Sequence, residues 1–402
     1  MTFSAPPPSE RHRPAAAAGR EPAPSAAPGP DGEPEPSDTY TLNMGPQHPS
    51  THGVLRLKLT MRGEMIVGVD PVIGYGHRGH EKMAENRTYA QFLPNTSRQD
   101  YLSGMIYNFA WVEAVEKLAG IEAPPRAQVA RVILSEFNRV SSHLVWIGAF
   151  LLDLGAWTPS LYTFDAREAI LFLLESVTGS RLTYCTGRFG GLSRDLDPDF
   201  PRRARAVIAK LRTHCPDFES LIEENVIFRR RCQGVGVMSG ELCLRYGVTG
   251  PNLRASGVPY DVRKVEPYGA YPKFDFEVPV RAEGDNFARY WVRVREMRQS
   301  LHIIEQALDA LPDGPVLAEK GLGSKKRLRP PVGTLYYAVE SARGAFGILL
   351  VSEGDAKPYR AKFRVPSYPA LAALREVIPG TMVSDAVAIL GSIDIIVPEI
   401  DR

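Results

Sequence analysis

The stretch 124–155, PPRAQVARVILSEFNRVSSHLVWIGAFLLDLG, constrains the fold more than any other part of the chain. Its apolar side chains recur at helical spacing, beginning with Val129, Val132 and Ile133 and continuing to Ile147. Such a pattern predicts one long helix that buries a wide apolar face. Its most apolar part, LVWIGAFLL, is about half as long as the roughly 18 residues that a membrane-spanning helix needs. We therefore expect any membrane contact to go through partners.

Three further segments predict long helices beside it. One covers 97–120, a second has Pro159 near its start and Gly179 after its end, and a third is expected at about 285–311. Short links between long amphipathic helices favour antiparallel neighbours. The segments therefore predict a helical bundle.

Strand patterns lie on both sides of this bundle. Between 54 and 74, apolar residues alternate on either side of the turn signal Arg62-Gly63, which predicts a small antiparallel sheet. After the proline-rich RLRPPVG, the period becomes strand-like in TLYYAVES, GAFGILLVSEG and YRAKFRVPS. The chain ends on the apolar AVAILGSIDIIVPEIDR, which we expect to be buried.

The fold class that these patterns predict is α+β and mainly helical. We expect a disordered tail over 1–38, an N-terminal β subdomain over 39–75, a helical core over 76–320 and a β-containing segment with a buried tail over 321–402. The tail is rich in proline and alanine, and it has too little apolar surface to offset the entropy of ordering it.

Charge and motifs exclude several classes of function. Lys and Arg number 48 against 46 Asp and Glu, and this net charge of +2 gives no electrostatic case for nucleic acid. The chain has no GxxxxGK[ST], GxSxG or HExxH, so nucleotide binding by a P-loop and hydrolysis have no support. The four cysteines include no CxxC pair, so we expect no zinc or iron–sulfur site in this chain.

His48 and His52 lie four residues apart in the loop GPQHPSTHG, just before the first strand of the predicted sheet. Binding residues concentrate in loops. Histidines that only hydrogen-bond within a loop are nevertheless commoner than ligands. Both interpretations stay open on the residues alone.

Tyr101 follows a helix-start pattern. Ser97 and Asp100 read as an acidic version of a capping box, and the helix that they start would close at Gly120. This pattern predicts Tyr101 on the first turn, where its phenol faces the start of the helix. The alternative is an aromatic ring packed in the core with its hydroxyl satisfied.

The long helix carries polar residues that invite two interpretations. Asp153 ends it, and a carboxylate there either hydrogen-bonds local backbone or holds a buried histidine. Glu136 and His143 share one face, with Arg139 between them. They indicate either a buried polar network or one exposed seam.

Eight motifs in one order resemble a known family. They are GPQHPSTHGVLRL, GHRGHEK, RQDY, NRVSSHLVWIGAFLLDLG, GVTGPNLRASGVPYDVRK, REMRQS, PYRAKFRVPS and EIDR. Together they resemble the D-subunit family of proton-pumping NADH:quinone oxidoreductase, respiratory complex I, from about residue 39 to Arg402. Eight ordered motifs are far more specific than any one of them.

The resemblance implies a fold like that of the large subunit of nickel–iron hydrogenases, without the two CxxC pairs that hold the hydrogenase metal. Ile396 and Glu399 stand where we place the metal-binding cysteines, so we expect no metal and no hydrogenase activity. The chain would bind no prosthetic group alone and would take quinone as a substrate.

The resemblance also implies partners and a location. FMN and iron–sulfur clusters are expected in partner subunits, with a [4Fe–4S] cluster in the neighbouring B subunit. The implied partners are complex I subunits B, C, H and I. The chain would lie at the cytoplasmic face of the cell inner membrane as a peripheral subunit.

Three residues match the family's quinone site. The quinone tyrosine falls on Tyr101 in RQDY, the quinone-site histidine on His52 in STHG, and the aspartate associated with it on Asp153 in LLDLG. A quinone that takes up two electrons develops negative charge on its oxygens, which a phenol and an imidazole can stabilise. Asp153 would orient His52 and favour its protonated form, while His48 would shape the loop.

The chain also departs from the family pattern. Asn95 replaces the usual aromatic residue, and TGRFGG at 186–191 keeps Arg188 but loses a tyrosine. The family's HFK…TEG segment, expected between about 318 and 332, is replaced by EKGLGSKKRLRPP. These departures bear on the local surface and on partner contacts, and they hint at a divergent copy of the complex.

Two alternative functions remain. The chain could serve the same role in a related complex that takes electrons from ferredoxin or a deazaflavin. It could also be a non-catalytic, hydrogenase-like scaffold. Retention of all three quinone-site residues argues against the scaffold, because a scaffold does not need them.

Overall fold

Two long helices, Pro125–Asp153 and Trp157–Thr178, form the centre of the fold. The short link 154–156 makes them antiparallel neighbours. The computed structural model describes residues 38–48, 53–318 and 328–402. Nearly all of the predicted tail, His52 and most of the segment that departs from the family near 318–332 lie outside these ranges.

The helices of the described residues are numbered in chain order. They are α1 His80–Asn86, α2 Tyr89–Thr96, α3 Gly104–Ala119, α4 Pro125–Asp153, α5 Trp157–Thr178, α6 Phe200–Glu223, α7 Val226–Cys232, α8 Gly240–Tyr246, α9 Pro251–Arg254, α10 Val262–Val265, α11 Asn286–Asp309, α12 Ser367–Val377, α13 Val383–Ser392 and α14 Val397–Asp401. Among them, no helix has both the length and the apolar character that crossing a membrane requires.

The strands of the described residues form small antiparallel sheets. They are β1 Thr39–Met44, β2 Arg56–Arg62, β3 Met65–Val72, β4 Gly187–Arg188, β5 Gly191–Leu192, β6 Gly333–Ser341, β7 Gly344–Ser352 and β8 Arg360–Arg364. Their orders are β1-β2-β3, β4-β5 and β6-β7-β8. The predicted α+β, mainly helical class is confirmed, whereas the division into four parts stays a prediction.

The predicted bundle is present. α4 packs against α5 on one side and α11 on another, and α3 lies beside it. Gly179 ends α5 in the left-handed conformation (φ 74°), which glycine adopts without steric cost. Asp285 caps α11, because its side chain accepts a hydrogen bond from the backbone N–H of Ala288 at 2.7 Å.

The predicted start of α3 at Ser97 is wrong. Ser97 ends α2 instead, and α3 begins seven positions later at Gly104. The capping box of this region belongs to α2, where Thr88 and Gln91 cap each other. Residues 97–103 therefore form a connector between two helices, and Tyr101 lies in this connector rather than on a first helical turn.

The two ends of the described chain share one apolar core. Leu57 and Leu59 of β2, and Leu55 just before it, are fully buried in the same cluster as residues of the last three helices, including Leu374 and Ile389. The predicted burial of the terminal apolar segment is thus confirmed. The segment that ends at Asp401 is held at a fixed position by this packing.

The C-terminal sheet packs on α2 and α3 through aromatic rings. Phe363 of β8 stacks on Phe92 and on Phe346, and Trp111 packs against both Phe92 and Phe363. Tyr107 of α3 stacks on Phe346 with ring centroids 3.8 Å apart. These contacts fix the β6-β7 hairpin against the helices.

Between the bundle and this hairpin lies an ion network that is almost entirely shielded from solvent. Its guanidinium groups are Arg139, Arg254 and Arg263, and its carboxylates are Glu136, Asp261, Glu296 and Glu340. His143 joins it through Nε2, 3.1 Å from Glu296. The predicted face of α4 is therefore a buried polar network and not an exposed seam.

The network has one more carboxylate than guanidinium groups, so its members differ in charge state. Burial would raise the pKa of Glu296, but Arg254, His143 and Arg139 outweigh it and hold that pKa well below the usual range. Burial and the neighbouring Asp261 raise the pKa of Glu340. Glu296 is thus firmly ionised, and Glu340 is the carboxylate better able to hold a proton.

This difference predicts different costs for two matched substitutions. Glu296→Gln should lower the free energy of unfolding by about 3–5 kcal/mol, because it leaves buried guanidinium groups uncompensated. Glu340→Gln should cost only about 1–2 kcal/mol, because a neutral amide resembles the protonated acid. Denaturant unfolding of the purified full-length chain measures both. Equal losses for the two variants would contradict this assignment of charge.

Candidate functional site

A cavity of about 140 Å³ lies where the 97–103 connector, α4 and the loop after α13 meet. Its walls are mostly apolar, and two polar side chains, Tyr101 and Asp394, face it. The other lining residues are Leu102, Val145, Trp146, Ala149, Gly391, Ile395 and Ile396. Apolar walls with a few polar groups are typical of sites for small organic molecules.

Tyr101 offers a neutral hydrogen-bond donor to this cavity. Its side chain is half-buried. Burial raises its pKa above the ordinary value, and the opposing effect of Arg343 does not cancel this rise. The phenol therefore keeps its proton at physiological pH and can donate it to an oxygen of a ligand.

Arg343 fixes the connector that carries Tyr101. From the β6-β7 turn, its Nη1 donates to Asp100 Oδ2 at 2.8 Å and to the hydroxyls of Ser103 and Ser142 at 3.1 and 3.2 Å. Its Nη2 donates to Asp394 Oδ1 at 3.1 Å. One guanidinium thus joins the connector, α4 and the loop after α13, all of which line the cavity.

Asp100 also shapes the connector through its backbone. Its Oδ1 accepts hydrogen bonds from the N–H groups of Leu102 and Ser103, both at 3.0 Å. These bonds turn the chain just before α3, and the ion pair with Arg343 holds the carboxylate in place. The contacts of Asp100 and Arg343 therefore set the position of Tyr101.

Asp394 lines the cavity and has one side-chain oxygen without a hydrogen bond. Its backbone has a φ of 56°, in the left-handed region that non-glycine residues rarely adopt. The residue is 7% exposed, and Oδ2 accepts no hydrogen bond from any described residue, although Arg293 Nε lies 3.8 Å from it. A buried oxygen without a donor is costly, so this atom keeps an unused capacity to accept a hydrogen bond.

Glu399 lies behind the cavity wall and next to the Asp100 ion pair. It is fully buried; its Oε1 accepts from the backbone N–H of Ser367 at 2.9 Å, and its other oxygen accepts from the hydroxyl of Tyr107. Burial together with the Asp100 carboxylate raises the pKa of Glu399 to about 7, against the opposing effect of Arg343. This carboxyl group therefore titrates near physiological pH.

The predicted site residues differ in their relation to this cavity. Tyr101 lines it. Asp153 ends α4, half-buried, on the same helix face as Trp146 and Ala149, about two turns beyond Trp146 and one turn beyond Ala149. His48 is exposed.

His52 lies outside the described residues. The next residue, Gly53, is described, and a Cβ placed on it would lie 3.1 Å from Val397 Cγ2. Val397 directly follows Ile396, which lines the cavity. Gly53 therefore lies close to the start of α14.

The two positions assigned to lost metal ligands have other roles. Ile396 contributes an apolar wall, and its backbone N–H donates to Ser367 Oγ at 3.1 Å. Glu399 is engaged by Tyr107 and Ser367. Within the described ranges, no group of three or more His, Cys, Asp or Glu side chains is placed to hold a metal ion.

Sequence reasoning missed Arg343, Asp394 and Trp146 as parts of the site. Asp394 could have been found, because it interrupts the apolar run AVAILGSIDIIVP, where an aspartate has no evident partner. Arg343 follows a strand at a hairpin turn, where a charged residue is ordinary. No local signal distinguishes it.

The fold and the cavity define a class: a mainly helical protein with small antiparallel sheets and a largely apolar cavity that a phenol and a carboxyl group line. The chain belongs to the family of the 49 kDa subunit of the respiratory-chain NADH dehydrogenase, whose sequence model matches residues 153–326 and 322–402.

The alignments with its relatives include nearly the whole chain. It is 58% identical to the D subunit of the NADH-quinone oxidoreductase of Syntrophobacter fumaroxidans, over 90% of this chain and 96% of the relative. It is 54% identical to the corresponding subunit of Desulfotalea psychrophila, over 91% and 98%. It is 52% identical to the D 2 subunit of the NADH-quinone oxidoreductase of Opitutus terrae, over 91% of each. The family predicted from the eight motifs is confirmed.

The raised pKa of Glu399 predicts a pH dependence of stability. The folded chain holds a proton on Glu399 up to about pH 7, whereas the unfolded chain releases it near the ordinary value of 4.5. Stability therefore falls as pH rises between these values. Glu399→Gln removes this titration, so its free energy of unfolding should fall less steeply with pH across this window. Denaturant unfolding at several pH values measures the slope.

The control for this prediction is Glu266→Gln. Glu266 is exposed, so its replacement should leave the wild-type slope unchanged. Identical slopes for the wild type and Glu399→Gln would show that Glu399 does not hold the proton.

Proposed function

We propose that this chain forms a quinone-reduction site as a subunit of a proton-translocating NADH:quinone oxidoreductase. The observation that carries the proposal is a largely apolar cavity that Tyr101 and Asp394 both line. The names of the relatives support the same activity. In the complete reaction, NADH supplies two electrons, and the quinone takes up these electrons and two protons to become quinol.

The cavity suits the chemistry of a quinone head group. Apolar side chains favour the ring, and the Tyr101 hydroxyl can donate to a carbonyl oxygen. As the ring gains electrons, negative charge develops on that oxygen, and a donor already aimed at it stabilises the charge without reorganising. The carboxylate of Asp394, which also lines the cavity, can then accept a hydrogen bond from the hydroxyl of the quinol.

His52 and Asp153 complete the proposed site. Gly53, the residue after His52, lies close to Val397, and Asp153 lies one helical turn beyond Ala149, which lines the cavity. We expect Asp153 to orient the imidazole of His52 and to favour its protonated form. Loss of that proton to the quinone would weaken the pair, which makes it a candidate for starting a redox-linked conformational change.

The proposal includes partners and a location. We expect the electrons to arrive from an iron–sulfur cluster in the B subunit, with FMN in another subunit and no prosthetic group bound by this chain alone. Subunits C, H and I are the further expected partners. We expect the chain to be peripheral at the cytoplasmic face of the cell inner membrane, with membrane contact through those partners.

The site predicts the effect of removing one hydroxyl. Tyr101→Phe should lower the NADH:quinone rate of membranes by about 10²-fold or more, because a preorganised donor to the developing charge is lost. NADH oxidation by an artificial acceptor should be unchanged, since it reports assembly and upstream electron flow.

Tyr184→Phe is the matched control. Tyr184 is buried in the apolar core, and its hydroxyl donates to the carbonyl of Arg181. It does not line the cavity. It should keep the quinone rate. A Tyr101→Phe variant with both rates intact would make Tyr101 a packing residue and refute the site. Wild-type membranes that do not oxidise NADH would favour ferredoxin or a deazaflavin as the donor.

A further inference from the structure

We propose that Arg293 makes the wall of the Tyr101 cavity electropositive, acting through Trp146 and Asp394, and so stabilises the negative charge that a bound quinone gains during reduction. The inference rests on the quinone site proposed above and names a residue that sequence reasoning did not single out. Arg293 lies on α11 and is fully buried. It is a positioning residue, because it does not itself line the cavity.

Two contacts link Arg293 to the cavity wall. Its guanidinium carbon lies 4.2 Å from the centroid of the Trp146 ring, which is well within the range of a cation–π contact. Its Nε lies 3.8 Å from Asp394 Oδ2. Trp146 and Asp394 both line the cavity, so the charge of Arg293 is one side chain away from a ligand.

The charge of Arg293 is not neutralised by a hydrogen-bonded carboxylate in the described part of the chain. Its hydrogen bonds, at 3.0–3.4 Å, go to the carbonyls of Arg289, Ser392 and Ile393 and to the side-chain oxygen of Asn252. Asp394, its nearest carboxylate partner, is shared with Arg343.

Neighbouring acidic groups are engaged elsewhere, and the guanidinium stays charged. Glu296, one turn later on α11, accepts instead from Arg254 and Arg263. Burial lowers the pKa of Arg293 to about 10, with Asp394 opposing, so the group remains a cation at physiological pH. A cation with so little compensation projects its field into the cavity.

The indole between Arg293 and the cavity is held rigidly. Trp146 Nε1 donates to the carbonyl of Gly391 at 2.8 Å, and its ring stacks on Phe150 with centroids 5.3 Å apart. Arg293 itself is fixed by four acceptors. The positive wall is therefore preorganised and needs no rearrangement when the quinone becomes charged.

This arrangement distinguishes the quinone from its reduced forms. An uncharged quinone gains little from a nearby cation, whereas the anionic species that form during reduction gain much more in a low-dielectric site. An interaction that strengthens only as charge develops raises kcat without lowering KM. Arg293 should therefore affect turnover rather than quinone affinity.

The test uses the whole complex in membranes and a short-chain ubiquinone. Arg293→Met should lower kcat for NADH:quinone reduction by about tenfold, with KM changed by less than about threefold. Arg293→Lys should restore most of kcat, because it keeps the charge. The artificial-acceptor rate and the amount of this chain in the isolated complex report assembly.

Arg289→Met is the matched control. Arg289 lies one turn earlier on α11, is equally buried, and is likewise held by neutral oxygens of Gly236, Gly284, Asn286 and Ser392. It has no ring contact with Trp146 in the described structure. It should keep kcat within about threefold of the wild type. Equal losses of kcat in the two methionine variants, or a change confined to KM, would overturn the proposal.

Trp146 provides a second test if Arg293→Met does not assemble. Trp146→Phe keeps an aromatic face for the cation, whereas Trp146→Leu does not, so kcat should be higher in the phenylalanine variant at similar KM. Equal kcat values would refute the proposal. Failure of the quinone site itself would appear separately, as an unimpaired Tyr101→Phe variant.

Discussion

The site depends on a single buried guanidinium. Arg343 bonds to Asp100 in the connector, to Ser142 on α4 and to Asp394 in the loop after α13. Each of these segments contributes to the cavity wall, and the segments are far apart in sequence. A buried charge is tolerated only while its partners stay in place. Losing any one of these bonds would be costly, so the bonds keep the three segments in fixed positions relative to one another. The position of the Tyr101 phenol depends on them.

The charges of the interior are divided between two places. The network around Glu296 has one more carboxylate than guanidinium groups. Near the cavity, the ion pairs of Arg293 and Arg343 within the described chain involve only Asp100 and Asp394, so the two kinds of charge are equal in number there. Arg293 and Arg343 share Asp394, so this carboxylate compensates neither cation alone. For the proposed site, such partly compensated cations would favour a ligand that becomes negative.

The sequence could predict the features that depend on local periodicity. α4, α5 and α11 were predictable because each buries a face whose apolar residues repeat at helical spacing. The placement of Tyr101 could not be predicted in the same way. Ser97 and Asp100 satisfy a capping pattern, yet Asp100 is drawn to Arg343, 243 residues away, and α3 starts later. The importance of Tyr101 came from the resemblance of RQDY to a family motif, and its position came from a tertiary ion pair.

Asp394 and Glu399 are two buried carboxyl groups that the end of the chain supplies. Both interrupt an apolar terminal segment, and neither has a cation to itself. Asp394 lines the cavity and shares Arg343 with Asp100, whereas burial and the Asp100 carboxylate raise the pKa of Glu399 to about 7. Under the proposed function, the site takes up protons as well as electrons, and Glu399 is a group that can hold or release a proton near neutral pH. Because Asp100 pairs with Arg343 and also acts on Glu399, a change of charge in the cavity would then be coupled to the protonation of Glu399.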